Sequence, residues 1–191
     1  MSATGAADGM RRGTRWVALV RNVNLGRQGL TRDLLLDAAA SAGGRDVRSY
    51  LTTGNLTLTA DPAALDGPDG VVARLEDGLA QVLGRRELVA VRSVTWLREL
   101  LALDLFAGVD GAAWTTEVAF LRHDAVPLDP ARLGDTRRTR VVAVRERELA
   151  ASRPREGSAA PAVNPLLERA TGVRSTARGW STLSRIAADP G

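Results

Sequence analysis

The spacing of apolar and polar positions changes several times along the chain, and each change predicts an element. Trp16–Arg21 has the β-branched and aromatic content of a strand. After a polar loop, Thr31 is placed to cap a helix from Arg32 to about Ala42. Its Leu35, Ala38, Ala39 and Ala42 share one face, and Asp33 suits the positive end of the helix dipole. Gly43-Gly44 ends it. Val47–Thr52 and Leu56–Ala60 alternate with period two, and Gly54-Asn55 between them is a tight-turn signal. Pro68–Leu83 reads as a second helix with Val71, Leu75, Leu79 and Val82 in register, stopped by Gly84. Leu88–Arg92 is a further strand. The order is β-α-β-β-α-β, that of the ferredoxin-like split unit.

The second half repeats that order less clearly. Val94–Leu101 reads as a connecting helix and Thr116–Leu121 as a strand. A short helix near Pro130–Gly134 follows, then strands near Arg140–Val144 and Arg147–Ala151. Ser152–Ala162 is a Pro/Gly/Ser/Ala loop, and a helix begins at Pro161 or Pro165 and ends at Gly172. Val173–Ala177 is an edge segment, and Ser181–Ala188 a terminal helix with Leu183, Ile186 and Ala187 inward. The expected fold is α+β: two tandem ferredoxin-like (β-α-β-β-α-β) units plus a C-terminal helix. The expected organisation is a flexible N-terminal leader over 1–14, unit 1 over 15–93, a connecting helix and loop over 94–111, and unit 2 with the terminal helix over 112–191.

Composition narrows the chemistry. The chain has 191 residues, 45% of them apolar, enough for one sizeable core or two small units sharing one. No apolar run approaches the roughly 18 residues of a membrane span, and the apolar run after Arg11 and Arg12 is too short for a signal peptide. A cytoplasmic location without membrane partners is the expectation. Cysteine is absent, which removes disulfides, thiolate nucleophiles and Cys-ligated metals. His123 is the only histidine, so no multi-histidine metal site is expected, and it reads as a solvated residue at a strand end. All 26 basic residues are arginine, which excludes Schiff-base chemistry and a phosphate-loop lysine. The net charge is only +4, yet the pI is about 10.9 because arginine stays charged above pH 12. Arg132–Arg155 holds eight arginines against three acids, either a solvated face of mixed charge or a surface for polyanions.

Three polar segments stand against apolar runs: Arg21-Asn22-Val23-Asn24-Leu25-Gly26, Ser49-Tyr50-Leu51-Thr52-Thr53-Gly54-Asn55, and Thr176-Ala177-Arg178-Gly179-Trp180-Ser181-Thr182. In their order and spacing, from about Arg15 to Ala188, they resemble the bacterial family called domain of unknown function 1697. The resemblance implies paired ferredoxin-like halves and no activity. The chain departs from the family pattern at several positions. Asn22-Val23 stands where Gly-Ile is usual, Arg27 and Gln28 follow Gly26 in place of a Gly and a Lys, and Thr53 replaces Ser. Gly179 and Ser181 replace two Asn residues, and Ser158-Ala159-Ala160-Pro161 occupies the place of a basic Ser-Lys segment. If the family binds an anion there, these departures imply a weakened or altered site.

The segments carry candidate ligand groups. Arg21, Asn22, Asn24 and Gly26 form a loop leading to a helix N-terminus, where amides, the dipole and a guanidinium favour an anion. Loop-fastening by local hydrogen bonds is the competing reading. Tyr50, with Thr53, Gly54 and Asn55 nearby, offers a hydroxyl and a stacking surface, or else is a half-buried strand aromatic beside a turn that needs glycine. Arg178, Trp180 and Thr182 complete a composite cleft with the first half, or else form an aromatic plug that fastens the terminal helix. The expected partner is a small anionic or nucleotide-like ligand between the halves. RNA binding through the Arg-rich face and a protein-interaction module are the alternatives. Nucleic acid is disfavoured because the expected third strand, Leu56–Ala60, has no aromatic. Neither cofactor, catalytic residue nor oligomeric state is legible in the sequence.

Overall fold

The computed structural model describes residues 13–27, 29–136, 138–155 and 163–188. The expected leader lies outside the described residues up to position 12, and so does most of the Pro/Gly/Ser/Ala loop, 156–162. In chain order the elements are β1 (Thr14–Val20), α1 (Arg32–Ser41), β2 (Arg45–Tyr50), β3 (Asn55–Ala60), α2 (Val71–Leu83), β4 (Val89–Ser93) and α3 (Val94–Ala102). These are followed by β5 (Trp114–Leu121), β6 (Arg140–Val144), β7 (Glu148–Pro154), α4 (Val163–Thr171), β8 (Ser175–Gly179) and α5 (Trp180–Ala187). They build two four-stranded antiparallel sheets, ordered β2-β3-β1-β4 and β6-β7-β5-β8.

The central strands are apolar on both faces because both faces are covered. On β1, Ala18 and Val20 join Leu56, Leu58, Leu35 and Leu75 under α1 and α2. Its Val17 and Leu19 point the other way, into a cluster shared by both sheets with Val118, Phe120, Ala150, Leu97, Leu100, Leu183 and Ile186. Helices α3 and α5 belong to this shared layer, and α4 covers the outer face of the second sheet through Val163 and Leu167. Burying a Leu, Val or Phe side chain contributes about 1.5–3 kcal/mol. The shared cluster therefore contributes to holding the two sheets together.

Several boundaries differ from the sequence reading for identifiable reasons. Helix α2 starts at Val71 behind the N-cap Gly70, and Pro68 sits in the preceding turn, where Gly70 N–H donates to Gly67 O at 3.1 Å. A short 3₁₀ turn at Pro62–Ala64, capped by Asp61, occupies chain the sequence left unassigned. The β2–β3 connection is the four-residue loop 51–54, with Leu51 (φ 58°) and Gly54 (φ 66°) in the left-handed region, so Thr52 lies in the loop and Asn55 opens β3. The helix expected near Pro130–Gly134 is one 3₁₀ turn, Pro130–Arg132, with Asp129 capping it. Strand β7 runs on to Pro154 because it pairs with β5 along its whole length.

Candidate functional site

The three polar segments occupy neighbouring ends of strands. The first leaves β1 after Val20, with Asn22 (φ 54°) in a left-handed conformation that Asn tolerates. The second is the loop 51–54 beside it. A Cβ on Gly54 would lie 3.0 Å from Val20 Cβ and 3.2 Å from Val20 O, so the position needs glycine for both its φ and its close approach. The third ends β8 at Gly179, which is also the N-cap of α5.

Arg178 reaches from the second sheet across to the first. Its Nη2 donates to Val20 O (2.7 Å) and Thr53 O (2.8 Å), its Nη1 to Thr176 Oγ1 and Ala177 O (2.8 Å each), and its Nε to Asn55 Oδ1. Asn55 is itself fixed by donating to Tyr50 O and Thr53 Oγ1, both at 3.0 Å. All five guanidinium N–H groups are thus used, and every acceptor is a neutral oxygen. Burial pushes this guanidinium down from the ordinary arginine value to about 10, which leaves it charged at neutral pH. The result is a buried positive charge whose hydrogen bonds are complete and whose charge is not neutralised.

Arg21 has the opposite environment. Its Nε donates to Ser175 O at 2.9 Å, and its Nη atoms lie 3.2 Å from Glu168 and 3.7 Å from Glu87. Glu87 also accepts from Asn22 Nδ2 (3.2 Å) and Arg85 Nε (2.6 Å). Arg21 is therefore a neutralised tie between the sheets. Tyr50 and Trp180 pack against the shared apolar cluster, Trp180 edge-on to Phe106 at 5.0 Å. Gly26 borders a separate depression with Thr31 and Arg32, and Gly54 and Asn55 are buried in the Arg178 clasp.

Of the residues singled out in the sequence, Asn22, Asn24, Thr53, Arg178 and Thr182 line one hollow of about 510 Å³. Arg27, Asn164, Thr176 and Gly179 line it too. Sequence reasoning did not single out Arg27, Asn164 or Thr176 as ligand groups. Arg27 and Thr176 adjoin or belong to the motifs, whereas Asn164 arrives on α4 with no signal in its own segment.

The hollow is unbalanced in charge and in hydrogen-bonding sense. Among the described residues its lining includes two arginines and no Asp, Glu or His. Arg27 is exposed and has no partner among the described residues. Thr53 Oγ1 accepts from Asn55 and Thr176 Oγ1 from Arg178, and neither hydroxyl donates to a described group, so each keeps its hydrogen for a further acceptor. The first turn of α5 has no side-chain cap and meets the hollow at Gly179 and Thr182. Its amides and dipole add positive potential on the same side.

A larger cavity, about 760 Å³, shares no residue with this one and is lined by Arg92, Trp96, His123, Arg145, Arg147 and Glu148 among others. There Arg92 meets Glu148 at 2.5 Å and lies over the rings of Trp96 and Phe120. His123 corrects its sequence reading. It is largely buried, its Nε2 is 2.5 Å from Asp66 Oδ1, and its Nδ1 is buried without a partner. Desolvation lowers its pKa below 6.5 despite the opposing pull of Asp66 and Asp124. In the Arg-rich stretch, Arg140 stacks over Trp114 at 4.3 Å, Arg153 pairs with Glu117 at 3.2 Å, and Arg147 and Arg155 donate to backbone carbonyls.

No helix among the described residues is long and apolar enough to cross a membrane. No curated protein matches the chain. Among solved structures it is similar to the conserved bacterial protein SP0830 from Streptococcus pneumoniae, at 19% identity and a TM-score of 0.66. That alignment covers 92% of this chain and 97% of the other. The likeness supports a shared fold. The family described as "Protein of unknown function (DUF1697)" matches residues 14–149, a span that takes in the first two motifs and ends before Arg178. The chain belongs to the DUF1697 family.

Proposed function

We propose that this protein binds a small anionic ligand in the hollow between Arg27, Thr53, Arg178 and Thr182. The observation that carries the reading is a lining that, among the described residues, has two guanidinium groups and no carboxylate. A buried charge without a counter-charge is electrostatically costly, and an anion arriving beside it recovers part of that cost. Arg178 has no donor left to give, so it acts at short range through its charge. Direct hydrogen bonds come from Arg27, the Thr hydroxyls and the open first turn of α5, each charge-assisted one contributing roughly 1.5–3 kcal/mol. Among the described residues the lining holds no general base or nucleophile of ordinary strength, which favours binding over catalysis at this place.

In this reading the two sheets with their helices are tandem ferredoxin-like units, over 15–93 and 112–191, joined by the α3 segment. The strand order β2-β3-β1-β4, with helices after β1 and β3, supports it for the first unit. Binding RNA through the Arg-rich stretch has less behind it, because Arg140, Arg147, Arg153 and Arg155 are engaged within the chain.

Titration with inorganic phosphate, followed by amide NMR, tests the reading. Shifts should concentrate in 22–27, 53 and 176–182. Shifts spread over the Arg132–Arg155 surface, or none, would refute it.

A further inference from the structure

Resting on the anion-binding reading, we infer that the ligand is a phosphate monoester of a small polyhydroxylated molecule, such as a sugar phosphate, rather than a nucleotide. The described lining of the hollow mixes two kinds of group. Arg27, buried Arg178 and the uncapped α5 turn at Gly179–Thr182 suit a phosphate. The other polar groups on it are neutral: Asn22, Asn24, Asn164, Thr53 and Thr176. Amide side chains present a donor and an acceptor side by side, the pairing that a hydroxyl needs.

The two aromatics that would hold a base are directed elsewhere. Tyr50 and Trp180 both pack into the apolar cluster between the sheets, and no aromatic lines the hollow among the described residues. A purine or pyrimidine would give up the stacking worth about 1–3 kcal/mol per base that aromatic platforms provide. A volume of about 510 Å³ exceeds what phosphate alone would fill and leaves room for a hydroxylated body. Thr53 and Thr176 each accept one hydrogen bond and keep a hydroxyl hydrogen that a ligand oxygen can accept.

Isothermal titration calorimetry on the full chain distinguishes the possibilities. The probes are inorganic phosphate, a panel of triose, pentose and hexose monophosphates, the unphosphorylated sugars, AMP and CMP. At least one sugar phosphate should bind tenfold or more tighter than inorganic phosphate and both nucleotides, with its unphosphorylated parent silent. Asn24→Ala should reduce that preference over inorganic phosphate, and Arg27→Ala should weaken every phosphate-bearing probe. A nucleotide that equals or exceeds every sugar phosphate would overturn this inference and leave the anion reading standing, as would a panel in which none exceeds inorganic phosphate. If no phosphate compound binds at all, both fall together.

Discussion

Two cavities of this protein each contain a nearly buried arginine, and they treat it in opposite ways. Around Arg92, the cation is answered by Glu148 at 2.5 Å, and beside it His123 is answered by Asp66. Around Arg178, the hydrogen bonds go to neutral oxygens, and no acid lines the hollow among the described residues. The Arg92–Glu148 pair is electrically closed and serves to join the sheets. The second joins the sheets equally well, yet leaves a net positive charge at a solvent-reachable wall. Hydrogen-bond satisfaction and charge compensation are separate requirements, and only a site that meets the first without the second has something left to offer an anion.

The contrast breaks most visibly at Arg178. Arg178→Met would strand the acceptors at Val20, Thr53, Ala177 and Asn55, and with each orphaned buried acceptor costing about 1–3 kcal/mol, a loss of at least about 3 kcal/mol in urea unfolding is expected. A loss under about 1 kcal/mol would show that the clasp is not structural. Gly54→Ala comes next, at about 1–3 kcal/mol, because its φ of 66° and the 3.0 Å approach to Val20 leave no room for a Cβ. At the closed cavity, removing both partners should be far milder. Arg92→Met combined with Glu148→Leu is expected to stay within about 1–2 kcal/mol of the parent, whereas Glu148→Leu alone should cost more because it leaves Arg92 buried and unpaired.

The smallest effect is a pH dependence at His123. Burial lowers its pKa below the ordinary 6.5, so the unfolded chain binds more protons than the folded one below about that pH. The stability it contributes is complete above about 6.5 and falls as pH drops through the folded value. His123→Gln should flatten that slope in unfolding curves measured between pH 5 and 8. An unchanged slope would mean that another group dominates.

Much of the architecture was legible because local signals agreed. Thr31, Asp33 and the Leu35/Ala39 face marked α1, and Thr31 does accept from Leu34 N–H at 3.2 Å. The period-two runs marked β2 and β3, although the left-handed Leu51 that shifts the turn had no signal, since few non-glycine residues adopt that conformation. The site was legible only as motifs. Arg21 and Arg178 looked alike as arginines beside glycine-containing turns. What separates them is Glu168 and Glu87 in one case and Val20 O in the other, a partner 158 positions away. Tyr50 and Trp180 looked like ligand aromatics, and only the packing of α3 and α5 between the sheets assigns them to the core.

The central claim, that the hollow at Arg178 is positively charged and open to anions, is tested most directly with Arg27→Glu. The exposed side chain of Arg27 has no partner among the described residues, so the variant's melting temperature in chloride should match that of the parent. At constant ionic strength, exchanging chloride for sulfate should raise the melting temperature of the parent and leave that of Arg27→Glu unmoved. An equal rise in both proteins would contradict the claim.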